Sequence, residues 1–269
     1  MRFLFVESIG EFESGSRARG QVRIPAEAKF PPCIIAEAIG QLAGWIAMEH
    51  SQFKLRPVAG LVGECVISGS PEAGAVVELA VEMETCDDDA VAYSGSACID
   101  GQPVVTLERC GAPMLALADF DDPDAMITRF ALLRSGTAPV EFAATLHEAV
   151  DLQNIACNGG AGCSIITPAD ASFYADHFPR KPVFPATLLL DAEIRLAVLA
   201  LKNRHGGRMP KVDGIRITDV KLRTFIGPGT AVTLRADPGD SDPSSESFAL
   251  TASVDSRRIA SAGLIFEWR

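Results

Sequence analysis

The residues best suited to chemistry lie in one segment, "HFPRKPVFPATLLLD" at 177–191. It opens on His177, is stiffened by three prolines, and runs through an apolar stretch to Asp191, fourteen positions later. Imidazole is neutral and basic near pH 7, which suits His177 to abstracting a proton. Asp191 is an isolated carboxylate inside a hydrophobic helix, one turn past a rigid loop that begins with histidine. It can equally be an ordinary, partly buried acid behind a proline-rich loop, because charged residues are seldom fully buried without a partner. Local sequence leaves both readings open.

A repeat supplies the second set of chemical groups. Aligning "CIIAEAIGQLAGWIA" (33–47) with "TLLLDAEIRLAVLAL" (187–201) sets Glu37 on Asp191 at an offset of 154, and Gly60 on Gly214 at the same offset. After one added residue, Val77 and Leu79 fall on Val232 and Leu234, and Asp100 on Asp255. Such register over some 65 residues marks an internal duplication. One helical turn after Glu37 comes Gln41, so both polar groups share a face. One turn after Asp191 comes Arg195, which can pair with it and hold it ionised.

The elements that must position these groups follow from pattern. Each unit reads as a strand, one long apolar helix (about 33–49 and 186–203), then three or four alternating strands separated by turn signals such as "SPEAG" and "IGPG". Helices apolar nearly all round are buried, not laid on a surface. The architecture is therefore α+β, a helix wrapped by a curved antiparallel sheet, present twice. The expected organisation is a first unit at 1–118, a connector at 119–150 and a second unit at 151–269. The connector carries its own helix, with Asp121 or Asp122 as cap and Pro123 in the first turn.

Bulk properties narrow the class. The chain of 269 residues is 48% hydrophobic, enough for a real core, and carries a formal charge of −11. That charge argues against a nucleic-acid or anionic-membrane partner. It would also repel an acidic carrier protein, unless Arg17, Arg19 and Arg23, or Arg180, Lys181, Lys202, Arg204 and Arg208, reverse the field locally. Seven cysteines, an odd number with no signal peptide ahead of them, predict reduced thiols and a cytoplasmic protein. Cys157 and Cys163 flank "NGGAG", which reads as a glycine turn between strands in preference to a metal site. No apolar run approaches the roughly 18 residues of a spanning helix.

The segment "DHFPRKPVFPATLLLD" resembles the active-site segment of the bacterial β-hydroxyacyl-acyl-carrier-protein dehydratases, whose pattern is H-F-x-x-x-P-[VI]-M-P-G before an apolar helix. "FLFVESIGEFESGSRARGQVRI" is similar to that family's opening strand, and "AEAIGQLAG" to its helix. The resemblance spans nearly all of the chain outside 118–150. It implies the hot-dog fold, and because these enzymes work as dimers, a tandem chain implies a double hot-dog that forms its own pseudo-dimer. Two such chains could pair further.

The resemblance also implies a division of labour. The family's histidine and acid come from opposite subunits, so His177 should face Glu37, and Asp191 should face the first unit's histidine position. That position is Arg23, fourteen before Glu37, so one of the two sites lacks its base. Asp191, Arg195 and Arg23 then mark a disabled site. In the other, His177 is the base, Glu37 the acid and Gln41 its orienting partner. The carbonyl of Val183 steadies His177, the N–H of Ala186 (where the family has glycine) binds the thioester oxygen, and Phe184 narrows the acyl tunnel. The implied reaction is dehydration of 3-hydroxyacyl thioesters, on acyl carrier protein or coenzyme A, in fatty-acid-like biosynthesis, with no metal or organic cofactor. A hot-dog thioesterase using Glu37 to activate water, and a non-catalytic acyl or carrier-protein binder, are the alternatives. His50, His147 and His205 read as surface or capping residues, and Trp45 as core.

Overall fold

The computed structural model of the chain describes residues 3–24, 31–69, 71–138 and 150–268. The first part contains β1 (Ser8–Glu13), β2 (Arg17–Arg23), α1 (Pro32–His50), β3 (Leu55–Pro57), β4 (Leu61–Ile67), β5 (Val76–Cys86), β6 (Ala90–Ile99) and β7 (Gln102–Ala116). After α2 (Pro123–Ser135) come β8 (Gln153–Asn158), β9 (Gly160–Ile166), α3 (Ala186–Arg204), β10 (Gly214–Leu222), β11 (Ala231–Asp242), β12 (Ser245–Val254) and β13 (Arg257–Glu267).

The strands form one antiparallel sheet in the order β1-β2-β5-β6-β7-β4-β10-β13-β12-β11-β9-β8, with β3 added beside β7. Counted inward from either edge, the row reads alike. First comes the opening hairpin, then the last three strands in sequence order, then the strand that precedes those three, β4 or β10. The halves meet where β4 pairs with β10, with Ile67 opposite Ile215 and Cys65 opposite Ile217. Each half opens with a hairpin, β1–β2 or β8–β9, where each unit is expected to open on one strand; the turn of the second is the glycine turn expected between Cys157 and Cys163. Gly15 (φ 68°) and Gly159 (φ 81°) supply the left-handed residue that each tight turn requires.

Helices α1 and α3 are 19 residues each and pack against each other as well as against the sheet. Ile34, Ile35, Ile39, Leu42 and Ile46 of α1 are fully buried. Each such side chain contributes roughly 1.5–3 kcal/mol of burial free energy, an upper bound set by the extended reference chain. The close approach of α1 to β6 requires Gly95, since a Cβ there would lie 2.4 Å from a methyl of Ile39. The equivalence of the halves reaches single residues. Val77, Leu79, Val232 and Leu234 are all buried. Asp100 (φ 50°) and Asp255 (φ 48°) both occupy left-handed turn positions.

The connector helix α2 begins as its sequence dictates: the carboxylate of Asp122 accepts from the N–H groups of Asp124 and Ala125, Pro123 follows, and Gly136 closes it in a left-handed conformation. Of the two candidate caps, Asp122 is therefore the one used. Helix α2 packs along β1. All seven cysteines are free thiols. No helix among the described residues is long and apolar enough to cross a membrane.

Candidate active site

His177 follows a short 3-10 turn, Ser172–Ala175, and its backbone N–H donates to the carbonyl of Phe173 at 2.8 Å. Its Nδ1 lies 2.8 Å from the carbonyl of Val183. A carbonyl only accepts, so Nδ1 carries the proton and Nε2 is left as the basic nitrogen. The next six residues loop back to make this contact, after which Pro185 caps α3 and Ala186 begins it. The N–H of Ala186 thus stands among the first-turn donors that have no acceptor within the helix. Phe184 is fully buried, donates its N–H to Ile226, and has its ring 6.3 Å from that of Phe173.

Glu37 approaches the same segment from α1. One carboxylate oxygen accepts from the Gln41 amide at 3.1 Å, and the other from the hydroxyl of Thr187 at 2.9 Å. Thr187 is the second residue of α3, so this bond joins the two halves directly beside the His177 loop. Gln41 is itself fixed at both ends, donating to the Phe3 carbonyl at 2.9 Å and accepting from the Phe5 N–H at 2.8 Å. The ring of Phe3 meets the edge of the His177 ring with centroids 5.0 Å apart. Burial raises the Glu37 carboxyl above its usual range, against hydrogen bonds from Gln41 and Thr187 and the charge of Arg56, which pull it down. Burial also takes the His177 imidazolium down to about 4; the bond to Val183 opposes this and the charge of Arg56 adds to it. At neutral pH the imidazole is neutral, and the carboxyl beside it is shifted toward holding its proton relative to a solvated glutamate.

The equivalent groups in the other half are arranged differently. Asp191 pairs with Arg195 at 2.9 Å, as the one-turn spacing predicts, and Arg195 also donates to the Val150 carbonyl. Where Thr187 meets Glu37, the equivalent residue Cys33 lies near Asp191, whose charge joins burial in raising the Cys33 thiol. Arg23 ends β2 with its side chain exposed and its N–H bonded to the Glu7 carboxylate. The structure thus brings Glu37, Gln41, His177, Val183 and Ala186 to one locality, and Asp191 with Arg195 to another.

Sequence reasoning missed two members of the first locality, Thr187 and Arg56, and one buried acid of the second, Glu193. Thr187 carries the link to Glu37. Arg56, on β3, extends its guanidinium over the Phe178 ring, 4.2 Å from its centroid, and forms an ion pair with buried Asp121. Neither has a local signal, because both act through contacts between halves. Glu193, two residues after Asp191, was visible as a second acid in an apolar helix; it is buried, which pushes its carboxyl up to about 8. His50 is the exposed end of α1, His205 caps α3 beside Glu246, and Trp45 is core. His147 lies outside the described residues. Of the basic clusters, Arg17 and Arg19 pair with Glu13 and Glu11, Arg180 with Asp122, and Arg204 with Glu246, which weakens any local reversal of field. Two shallow clefts, one beside His50 and Leu55 and one beside Phe12 and Ala80, contain neither His177 nor Glu37.

Residues 158–263 match the ApeI-like family, described as ApeI dehydratase. That stretch holds the His177 loop and α3. The 3-hydroxyacyl-[acyl-carrier-protein] dehydratase FabZ of Oenococcus oeni is 31% identical over 96 residues, which is 35% of this chain and 68% of that protein. The chain belongs to the hot-dog dehydratase family. Two solved structures share its fold across nearly the full length of both chains. A MaoC-like dehydratase is 12% identical, covering 95% of this chain and 98% of its own, with a TM-score of 0.53. An acyl-ACP thioesterase from Bacteroides thetaiotaomicron is 9% identical, covering 93% and 98%, with a TM-score of 0.55. Hot-dog dehydratases and thioesterases therefore share this backbone, and side chains must discriminate between their chemistries.

Proposed function

We propose that this dehydratase-family chain is a double hot-dog, with units at 1–118 and 151–269 and a connector at 119–150, that converts 3-hydroxyacyl thioesters to 2-enoyl thioesters at one site. The reading of strand order from either edge and the equal helices α1 and α3 support the duplication. The observation that carries the site is the bond from Thr187 to Glu37, which ties the acid of one unit to the helix that follows His177 in the other.

In the reaction, His177 Nε2 takes the C2 proton, and the C–H electron pair becomes the C2=C3 bond as the C3–O bond breaks. Glu37 gives its proton to the departing hydroxyl, which leaves as water. The N–H of Ala186, at the positive end of α3, stabilises the negative charge that grows on the thioester oxygen. Proton exchange between the imidazolium and the Glu37 carboxylate restores the starting state. Gln41 holds the carboxyl in place. The substrate rides on acyl carrier protein or coenzyme A in the cytoplasm.

A thioesterase would need Glu37 ionised, as a base toward water. Its burial favours the protonated form, and the Val183 bond prepares His177 for proton abstraction. The test is to incubate the chain with 3-hydroxyacyl and 2-enoyl thioesters on each carrier, following enoyl absorbance and free thiol separately. Enoyl change without thiol release is expected. Thiol release would make it a thioesterase, and neither signal would make it a binding protein.

A further inference from the structure

Between the two halves lies a small apolar cluster separate from the main core: Val58, Phe120, Phe178 and Val183, with Leu115 against it. Two of its members flank the chemistry, since Phe178 follows His177 and Val183 holds its Nδ1. Phe178 adopts φ 62°, a left-handed backbone that a bulky side chain rarely takes and that persists only where the surroundings impose it. What imposes it is visible. The Phe178 ring sits 4.4 Å from the His177 ring and 5.2 Å from Phe120, and the Arg56 guanidinium lies against it.

Arg56 is itself built into place. Ser51 closes α1, and Gln52 and Phe53, both left-handed, turn the chain so that β3 pairs with β7, setting Arg56 opposite Leu115. The 3-10 turn Leu117–Asp119 that follows β7 then delivers Phe120 and Asp121 beside it, with Asp121 N–H bonded to Leu117. The Asp121 carboxylate neutralises the guanidinium, whose side chain is only 18% exposed. The carbonyl of Phe120 accepts from Arg180 at 3.0 Å, so the same junction grips the loop a second time.

We propose that Arg56 is a positioning residue for His177. Held by Asp121, it clamps Phe178 and so fixes the strained backbone from which the imidazole projects. The inference rests on His177 as the base of the proposed reaction. Arginine suits the task because its planar, weakly hydrated cation stacks on an aromatic face, whereas lysine is a compact point charge. The clamp also joins the first unit, the connector and the second unit at one point, so the histidine loop is aligned by the half that supplies Glu37. The charge of Arg56 reaches both His177 and Glu37, consistent with its standing beside the reacting pair.

The test uses Arg56→Lys, which keeps the ion pair and loses the flat stack, and the double variant Arg56→Met with Asp121→Asn, which leaves no buried charge unpaired. Enoyl formation is measured for kcat and KM, and the His177 imidazole is titrated by NMR. A reacting group displaced by about 1 Å costs on the order of 100-fold. The double variant should lose kcat on that order with KM held, and Arg56→Lys a smaller share. In Arg56→Lys, which keeps the charge, the His177 midpoint should move up toward that of a solvated imidazole as the loop loosens; in the double variant loss of the Arg56 charge raises it as well. Wild-type kcat together with an unmoved midpoint in the folded variants overturns the proposal. If the double variant does not fold, Arg56→Lys decides on the same two readouts. If the wild-type chain forms no enoyl product, the dehydratase reading falls, and an unmoved midpoint would independently overturn the clamp.

Discussion

The two long helices, packed against each other, hold acids at matching positions in different surroundings. On α1, Glu37 accepts from two neutral donors, Gln41 and Thr187, and burial raises its carboxyl above the ordinary range. On α3, the equivalent Asp191 has a guanidinium at 2.9 Å, which holds a carboxylate charged. Gln41 and Arg195 occupy equivalent positions, and each reaches back to the chain ahead of its own helix, at Phe3 and Val150. Exchange of amide for guanidinium thus separates a carboxyl held by neutral donors from one held in an ion pair. The loops differ as sharply: one presents His177 with Nδ1 fixed, while the other's matching residue, Arg23, is turned to solvent.

The comparison breaks most easily at the base. His177→Ala should reduce enoyl formation by about 10²–10⁴-fold, the usual share of a positioned acid–base group, with the fold retained by circular dichroism. Survival of most activity would mean that the halves are not divided as described.

The pH dependence sharpens the same contrast. His177 must be neutral to act, and its midpoint lies at about 4, so kcat/KM should rise as pH climbs through that value. It should fall as Glu37 ionises, at a pH above the ordinary carboxyl value because the folded site raises it. A rising limb near 6.5 would place His177 in a solvated setting and contradict the site geometry.

Thr187→Val removes one donor from Glu37 and should cost roughly tenfold in rate, the worth of one hydrogen bond to a carboxyl. It should also move the falling limb to higher pH, because that bond favours the ionised form. The same readouts unmoved would mean that the link between the halves is structural only.

Glu193 tests the other helix through stability. Its folded midpoint of about 8 lies above the ordinary 4.5, so the native state holds a proton that the unfolded chain releases between those values. Stability should therefore fall as pH rises from 4.5 through 8. Glu193→Gln should raise the melting temperature by several degrees at pH 8, leave it unchanged at pH 4, and leave enoyl formation intact. An equal gain at both pH values would mean that the carboxyl is not the destabilising group.

What sequence could and could not foresee follows from range. Both helix spans and the cap at Asp121 or Asp122 rest on residues a few positions apart, where spacing alone fixes geometry, and the repeat shows as register held at an offset of 154. The bond from His177 to Val183 was legible for the same reason, although only through a resemblance. Arg56 in "KLRPVAG" has no local mark, since its partners Asp121 and Phe178 are brought to it by β3–β7 pairing and by the meeting of the halves. The first hairpin was read as a single strand because short polar runs such as "SIGEFE" lack clean alternation, whereas the glycines of "NGGAG" marked the turn of the second.

The most direct test sets Glu37→Gln beside Asp191→Asn in one assay of enoyl formation. Both replacements keep shape and remove an ionisable carboxyl from equivalent positions. The account predicts that Glu37→Gln abolishes turnover while Asp191→Asn leaves most of it. Loss with Asp191→Asn and retention with Glu37→Gln would contradict it.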